Sequence, residues 1–263
     1  PHGGGGGKDG AGELVVYAAS GAILLVTLCL TLMVRMRSQI LGREPMTAGT
    51  LVAGLRFLWT RQVLFAAVAI DLFAVLFGGA TALLPIYAKD ILMVGPEGFG
   101  ALRSALTVGA FTGALVLTQR SISRGAGVKF MVSAAIFGAG TIVFGLSTSF
   151  WLSLAALYVM GAADVVSVFI RHNLVQLIVP DDMRGRVGAV VGVMVGASNE
   201  LGEFESGVTA HWWGTVPAVV AGGAATVAVV ATFAWAYPVI RRIDSLDPEA
   251  LIRRFRVPHR RRL

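Results

Sequence analysis

The 263-residue chain is short of charge. Asp, Glu, Lys and Arg together make up 14% of it, while 56% is hydrophobic; a soluble domain carries about 25% charged residues. That deficit excludes an ordinary soluble protein and points to a polytopic membrane protein. Cysteine is nearly absent as well. Cys29 is the only one, so no intrachain disulfide can form, and its place inside an apolar run suits packing. Lysine occurs only at Lys8, Lys89 and Lys129. A retinal photoreceptor needs a lysine in its last helix, and the last apolar run, 215–238, has none. The acidic-Arg-aromatic and Asn-Pro motifs of a seven-span receptor are missing too. A membrane enzyme finds no support in a His-Glu metal spacing, a Gly-x-Ser-x-Gly turn or a Cys-His pair. No cofactor and no metal site is implied.

What the chain does have is long apolar runs. Seven are long enough to span a bilayer: roughly 14–34, 62–86, 99–118, 128–147, 150–170, 187–208 and 215–238. Joints between them fall at Pro85, Gly95-Pro96, Gly125-Ala126-Gly127, Pro180 and Pro217. Gly109 and Gly113 inside the third run suit close helix contact. The net charge of +7 raises the question of nucleic acid, but the cations are sorted by side. Nineteen of the 22 Lys and Arg fall in the linker after the first run, the loops after the third and fifth, and the C-terminal tail. By the positive-inside rule those segments are cytoplasmic and Pro1 is outside. The domain pattern is then an external Gly-rich loop over 1–13, a transmembrane helix over 14–34, and a cytoplasmic linker over 35–61. A six-helix unit over 62–240 and a basic cytoplasmic tail over 241–263 follow. Within the linker, 47–61 places Leu51, Leu55, Leu58 and Trp59 on one face of an amphipathic surface helix. In the tail, Asp247-Pro248-Glu249 starts a second short helix.

Intramembrane charge recurs with a period. After the first run the order is Asp71, Arg103, none; then Asp164, Glu200 with Glu203 and Glu205, none. AIDLFAV (69–75) and AADVVSV (162–168) carry an aspartate at the same place. Two triplets of helices crossing in opposite senses form a 3+3 inverted repeat, with the charged helices lining a pathway and the clean ones facing lipid.

Three segments carry a family resemblance: LLPIYAKDILMVGPEGFGALRSA (83–105), LVQLIVPDDMRGRVGAV (174–190) and GASNELGEFESGVTA (196–210). They resemble the major facilitator superfamily, closest to bacterial exporters of the enterobactin-exporter and macrolide-efflux type. The resemblance implies an all-α membrane protein with seven transmembrane helices, six of them the C-terminal half of a twelve-helix transporter. It also implies that the N-terminal five helices belong to a missing part of the same transporter. The implied activity is proton-coupled export of a small hydrophobic or amphiphilic molecule, of the drug or siderophore class, across a bacterial inner membrane. QRSISRGAGVK (119–129) occupies the place of the superfamily's basic loop motif, without its usual aspartate. Arg120 and Arg124 there, with Asp181, Arg184 and Arg186 in the matching loop, are implied cytoplasmic gating residues.

The candidate pathway residues are Asp71, Arg103, Asp164, Asn199, Glu200 and Glu203. Counting about 1.5 Å per residue from each helix start, Asp71 lies near the midplane and Asp164 in the inner half. Arg103, Glu200 and Glu203 share the outer half. On a helical wheel Gly196, Asn199, Glu200, Glu203 and Ser206 fall on one arc, while Glu205 points away from it. Two uses stay open for the glutamates: an ion pair of Arg103 with Glu203 or Glu200 that locks two helices, or a carboxylate that binds protons or substrate.

Overall fold

The computed structural model describes residues 6–33, 48–120, 122 and 124–244. The linker arginines Arg35, Arg37 and Arg43 and the tail helix expected at Asp247 lie outside the described residues. Among the described residues every regular element is helical. The chain divides into two units, 1–45 and 46–263. The first holds α1 (Gly6–Met33). This helix begins inside the stretch expected as a loop, because a formed helix extends at one hydrogen bond per residue. Its threonine hydroxyls are satisfied within the helix: Thr27 donates to the Ile23 carbonyl at 2.8 Å and Thr31 to the Thr27 carbonyl at 2.7 Å. That self-satisfaction suits a helix with no water beside it.

The second unit runs α2 (Ala48–Thr60), α3 (Gln62–Phe77), α4 (Leu84–Ile86), α5 (Pro96–Gln119), α6 (Ala126–Leu146), α7 (Phe150–Ile178), α8 (Asp181–Trp213), α9 (Thr215–Ala236) and α10 (Pro238–Arg241). α2 meets α3 at a bend of 105°. Leu58 turns into the core while Trp59 stays exposed. Among the described residues four helices are long and apolar enough to cross a membrane, α5, α6, α7 and α9, or five where the bent α2–α3 pair is counted as one broken span. α8 has the length, at 33 residues, but its acids and arginines keep it below the apolarity of a simple span. A helix that lines a polar pathway has that composition.

The helices pack as two related triplets. α5 and α6 both lie on α7; α8 and α9 both lie on α3; α6 meets α9 and α3 meets α7. Exchanging α3-α5-α6 for α7-α8-α9 turns these contacts into one another, as in a 3+3 repeat, while the packing of α8 on α9 has no equal between α5 and α6. Small residues make the approaches. A Cβ on Gly109 would overlap the Tyr158 carbonyl, and one on Gly161 would overlap the Leu106 carbonyl. Two apolar clusters fill the unit. One, around Leu64, Phe130, Ile170, Leu174 and Ile240, lies toward the arginine-rich end. The other, around Tyr87, Leu102, Phe144 and Leu157, lies toward the opposite end.

Two further boundaries that differ from the sequence expectation bear on the site. The run 62–86 is not one helix: α3 stops at Phe77, and the chain passes through a 3-10 turn (Gly79–Thr81) and α4 into a π turn (Tyr87–Ile91). The Gly78-Gly79 pair weakens the helix there, and close neighbours require both glycines. Gly79 lies so close to Ser206 of α8 that any Cβ there would overlap its hydroxyl, and Gly78 is pressed by Phe137. Tyr87 pins the far side of the break, donating its hydroxyl to the Gly145 carbonyl at 2.9 Å. The fifth run is longer than expected, since α7 continues to Ile178. Arg171, taken with the cytoplasmic loop, is therefore inside the helix.

Candidate functional site

The centre of the unit is a buried ion pair. Arg171 Nε lies 2.9 Å from Asp71 Oδ2, and neither side chain is more than 5% exposed. Asp71 comes from the middle of α3, and Arg171 from the inner half of α7. Asp164 lies two turns before Arg171 on α7, which puts both on one face of the helix. Asp71 and Asp164 line a cavity of about 10 Å³ between α3, α6 and α7, closed by Phe130, Phe137 and Ser167. That is about the volume of one water. The cavity sits where the two apolar clusters meet. Three charges thus gather at mid-depth: two carboxylates and one guanidinium.

On the arginine-rich side, Arg171 also borders a cavity of about 350 Å³ between α7 and α8. His172, Gln176, Arg184, Gly188 and Gly192 line it with Arg171. The guanidinium therefore stands between this cavity and the two aspartates. Arg184 reaches back to Asp181 at 2.7 Å on the exposed start of α8, a pair of small energetic weight. Asp181 and Asp182 occupy the first turn of that helix, where the helix dipole favours acids. Arg120 and Arg124 are exposed around the α5–α6 loop, where the Gly125 amide donates to Asp244 Oδ1 at 3.1 Å. Arg186 lies in the first turns of α8, partly buried, with its Nη1 3.7 Å from the Met183 sulfur.

Toward the other end, Arg103 and Glu203 line one cavity of about 430 Å³, with Thr81, Pro85, Phe99 and Leu157. The two side chains share its wall without forming an ion pair, so the lock between α5 and α8, one of the two uses left open for the glutamates, is not made in this arrangement. Asn199 and Glu200 are exposed on α8, and the Asn199 amide donates to the Val195 carbonyl at 3.0 Å. Glu205 is half-buried, apart from the exposed Glu200 and Glu203. Ser206 leaves the expected pathway arc: it is 5% exposed, packed on the Gly79 backbone. Among the described residues no three His, Cys, Asp or Glu side chains gather to hold a metal.

Residues 9–259, nearly the whole chain, match the family described as transmembrane secretion effector, of major facilitator type. The chain belongs to this family. It is a multi-pass membrane transporter, with the all-α fold that the family and its helices share. A receptor is not favoured. No curated relative matches the chain. Within the transporter, Arg171 is the residue missing from the candidate pathway set, although depth counting puts Asp164 close to it. Its signal was available in two forms: the apolar run continues through LVQLIV to Val179, and Arg171 follows Asp164 by seven residues, one helix face.

Proposed function

We propose that the transporter is a proton-coupled exporter of a small hydrophobic or amphiphilic molecule of the drug or siderophore class, seated in a bacterial inner membrane. It works as one six-helix half that rocks against another. The observation that carries this reading is the Asp71–Arg171–Asp164 cluster. Asp71 pairs with the Arg171 guanidinium, and Asp164 lines the same space of about one water beside Asp71, with no cation of its own in contact among the described residues. An uncompensated charge inside a membrane protein is costly, and a proton on the cluster supplies the missing positive charge. Release of that proton toward Arg171 and the 350 Å³ cavity would then be tied to rearrangement of α3 against α7. In the outer half, Arg103 and Glu203 offer opposite charges to a polar group of the substrate, and Asn199 and Glu200 flank the route. Arg120, Arg124, Asp181, Arg184 and Arg186 form the gating surface at the arginine-rich end.

The test is transport by the full-length protein in liposomes with an imposed pH gradient. Asp164→Asn should keep substrate counterflow and lose the acceleration by the gradient. Glu200→Gln and Glu203→Gln, made separately, ask whether the outer acids share in coupling. Normal gradient-driven exchange in Asp164→Asn would show that the cluster does not carry the proton.

A further inference from the structure

α5 and α6 each pack on α7 and not on one another. The glycines explain it. Gly109 and Gly113 draw α5 onto α7 at Tyr158 and Ala162, and Gly140 lets α6 close on Met160. A cleft of about 520 Å³ is left between α5 and α6, with α7 as its floor. That volume falls among those of sites for drug-sized ligands. Val116, Val128, Val132, Ile136 and Val159 line the cleft and are exposed in it. Ser133 contributes no free polar group, because its hydroxyl donates to the Phe130 carbonyl at 2.9 Å.

The mouth is different. Arg120 and Lys129 stand there on either side, both exposed, and Arg124 is two residues from Ala126, where α6 starts. No carboxylate lines the cleft. Asp244, the acid bound to this loop, is engaged with the Gly125 amide. From Lys129 to Ile136 the channel runs about 10 Å along α6, a length that would carry a chain from a headgroup at Lys129 into hydrocarbon. We propose that this cleft holds one anionic phospholipid, its phosphate between Arg120 and Lys129 and an acyl chain along the valines. Paired cations above an apolar channel select a charged headgroup with a hydrocarbon tail, which neither a free anion nor a zwitterionic lipid satisfies as fully.

Native mass spectrometry of the full-length protein, titrated with dioleoyl phosphatidylglycerol or dioleoyl phosphatidylcholine, tests this. The unmodified protein should retain the glycerol lipid and release the choline lipid. Arg120→Gln with Lys129→Gln should reduce retention by roughly twenty-fold, taking about a fivefold factor per cation near a headgroup. Arg120→Lys with Lys129→Arg should keep it. Val132→Trp fills the channel and leaves both charges in place, so it should also lose the lipid. Equal retention of the two lipids, retention by the doubly neutral variant, or retention by Val132→Trp would each overturn the proposal.

Discussion

Arg171 holds a full positive charge where only about 5% of its side chain meets solvent. Asp71 makes that tolerable. Removing one partner of a buried pair costs about 3–5 kcal/mol, because the other is left uncompensated; removing both costs far less. Asp71→Asn should therefore lower the unfolding temperature of the full-length protein in detergent strongly. The double variant Asp71→Asn with Arg171→Gln should recover most of that loss, since two amides can hydrogen-bond across the same gap. Equal unfolding temperatures for Asp71→Asn and the unmodified protein would show that the pair has no structural weight. The contrast with Arg184 and Asp181 is instructive at this scale. Their contact is shorter, at 2.7 Å, but it lies on an exposed helix start, where water screens it and its loss should be nearly silent.

Helix contacts in the unit are decided by where a Cβ can be accommodated. α5 offers both cases. A methyl on Gly109 meets the Tyr158 backbone, whereas Gly100 faces open space. Gly→Ala in a helix interior gains about 1 kcal/mol of helix propensity. At Gly100 that gain stands alone, so Gly100→Ala should match or slightly exceed the parent in thermal stability. At Gly109 it is outweighed by overpacking, typically 1–3 kcal/mol and sometimes more, and α5 must lift off α7. If both variants melt alike, α5 does not seat on α7 through Gly109. The same logic shows what the sequence could reveal. Long apolar runs and Gly109 with Gly113 are local properties, and they mark α5, α6, α7 and α9 directly. The break after Phe77 has a local part, the Gly78-Gly79 pair, and a distant one: Ser206, more than a hundred residues later, lies against Gly79. Arg171 was set with the loop for a related reason: a charge ends an apolar run unless a distant partner admits it, and Asp71 is a hundred residues away. Depth counting puts Arg103 level with Glu203, and they line one cavity. Whether their side chains touch depends on rotamers that no periodicity encodes.

For the whole molecule, the asymmetry of charge is the feature with the widest consequence. Among the described residues of the second unit, loops and helix ends at one end carry Arg120, Arg124, Lys129, Arg184, Arg186, Arg241 and Arg242, while the opposite end has Lys89, next to Asp90, with Arg103 within α5. The positive-inside rule makes a cytoplasmic basic end the expected orientation, and the direction of every step proposed for the transporter rests on it. Facing the other way, the 350 Å³ cavity beside Arg171 would open outside and an exporter's cycle would run in reverse. Cysteine labelling decides the matter because the chain has a single cysteine to remove. In a Cys29→Ser background, Met93→Cys places a thiol on the far loop, where Met93 is 83% exposed. Its backbone has a positive φ of 50°, which Cys tolerates no worse than Met. Arg242→Cys would perturb an interaction, so Arg124→Cys, on an exposed loop residue, marks the basic end. In intact spheroplasts a membrane-impermeant maleimide should label Met93→Cys at once and Arg124→Cys only after permeabilisation. The opposite pattern would invert the topology, and with it the assignment of Asp164 as a group reached from the cytoplasm through Arg171.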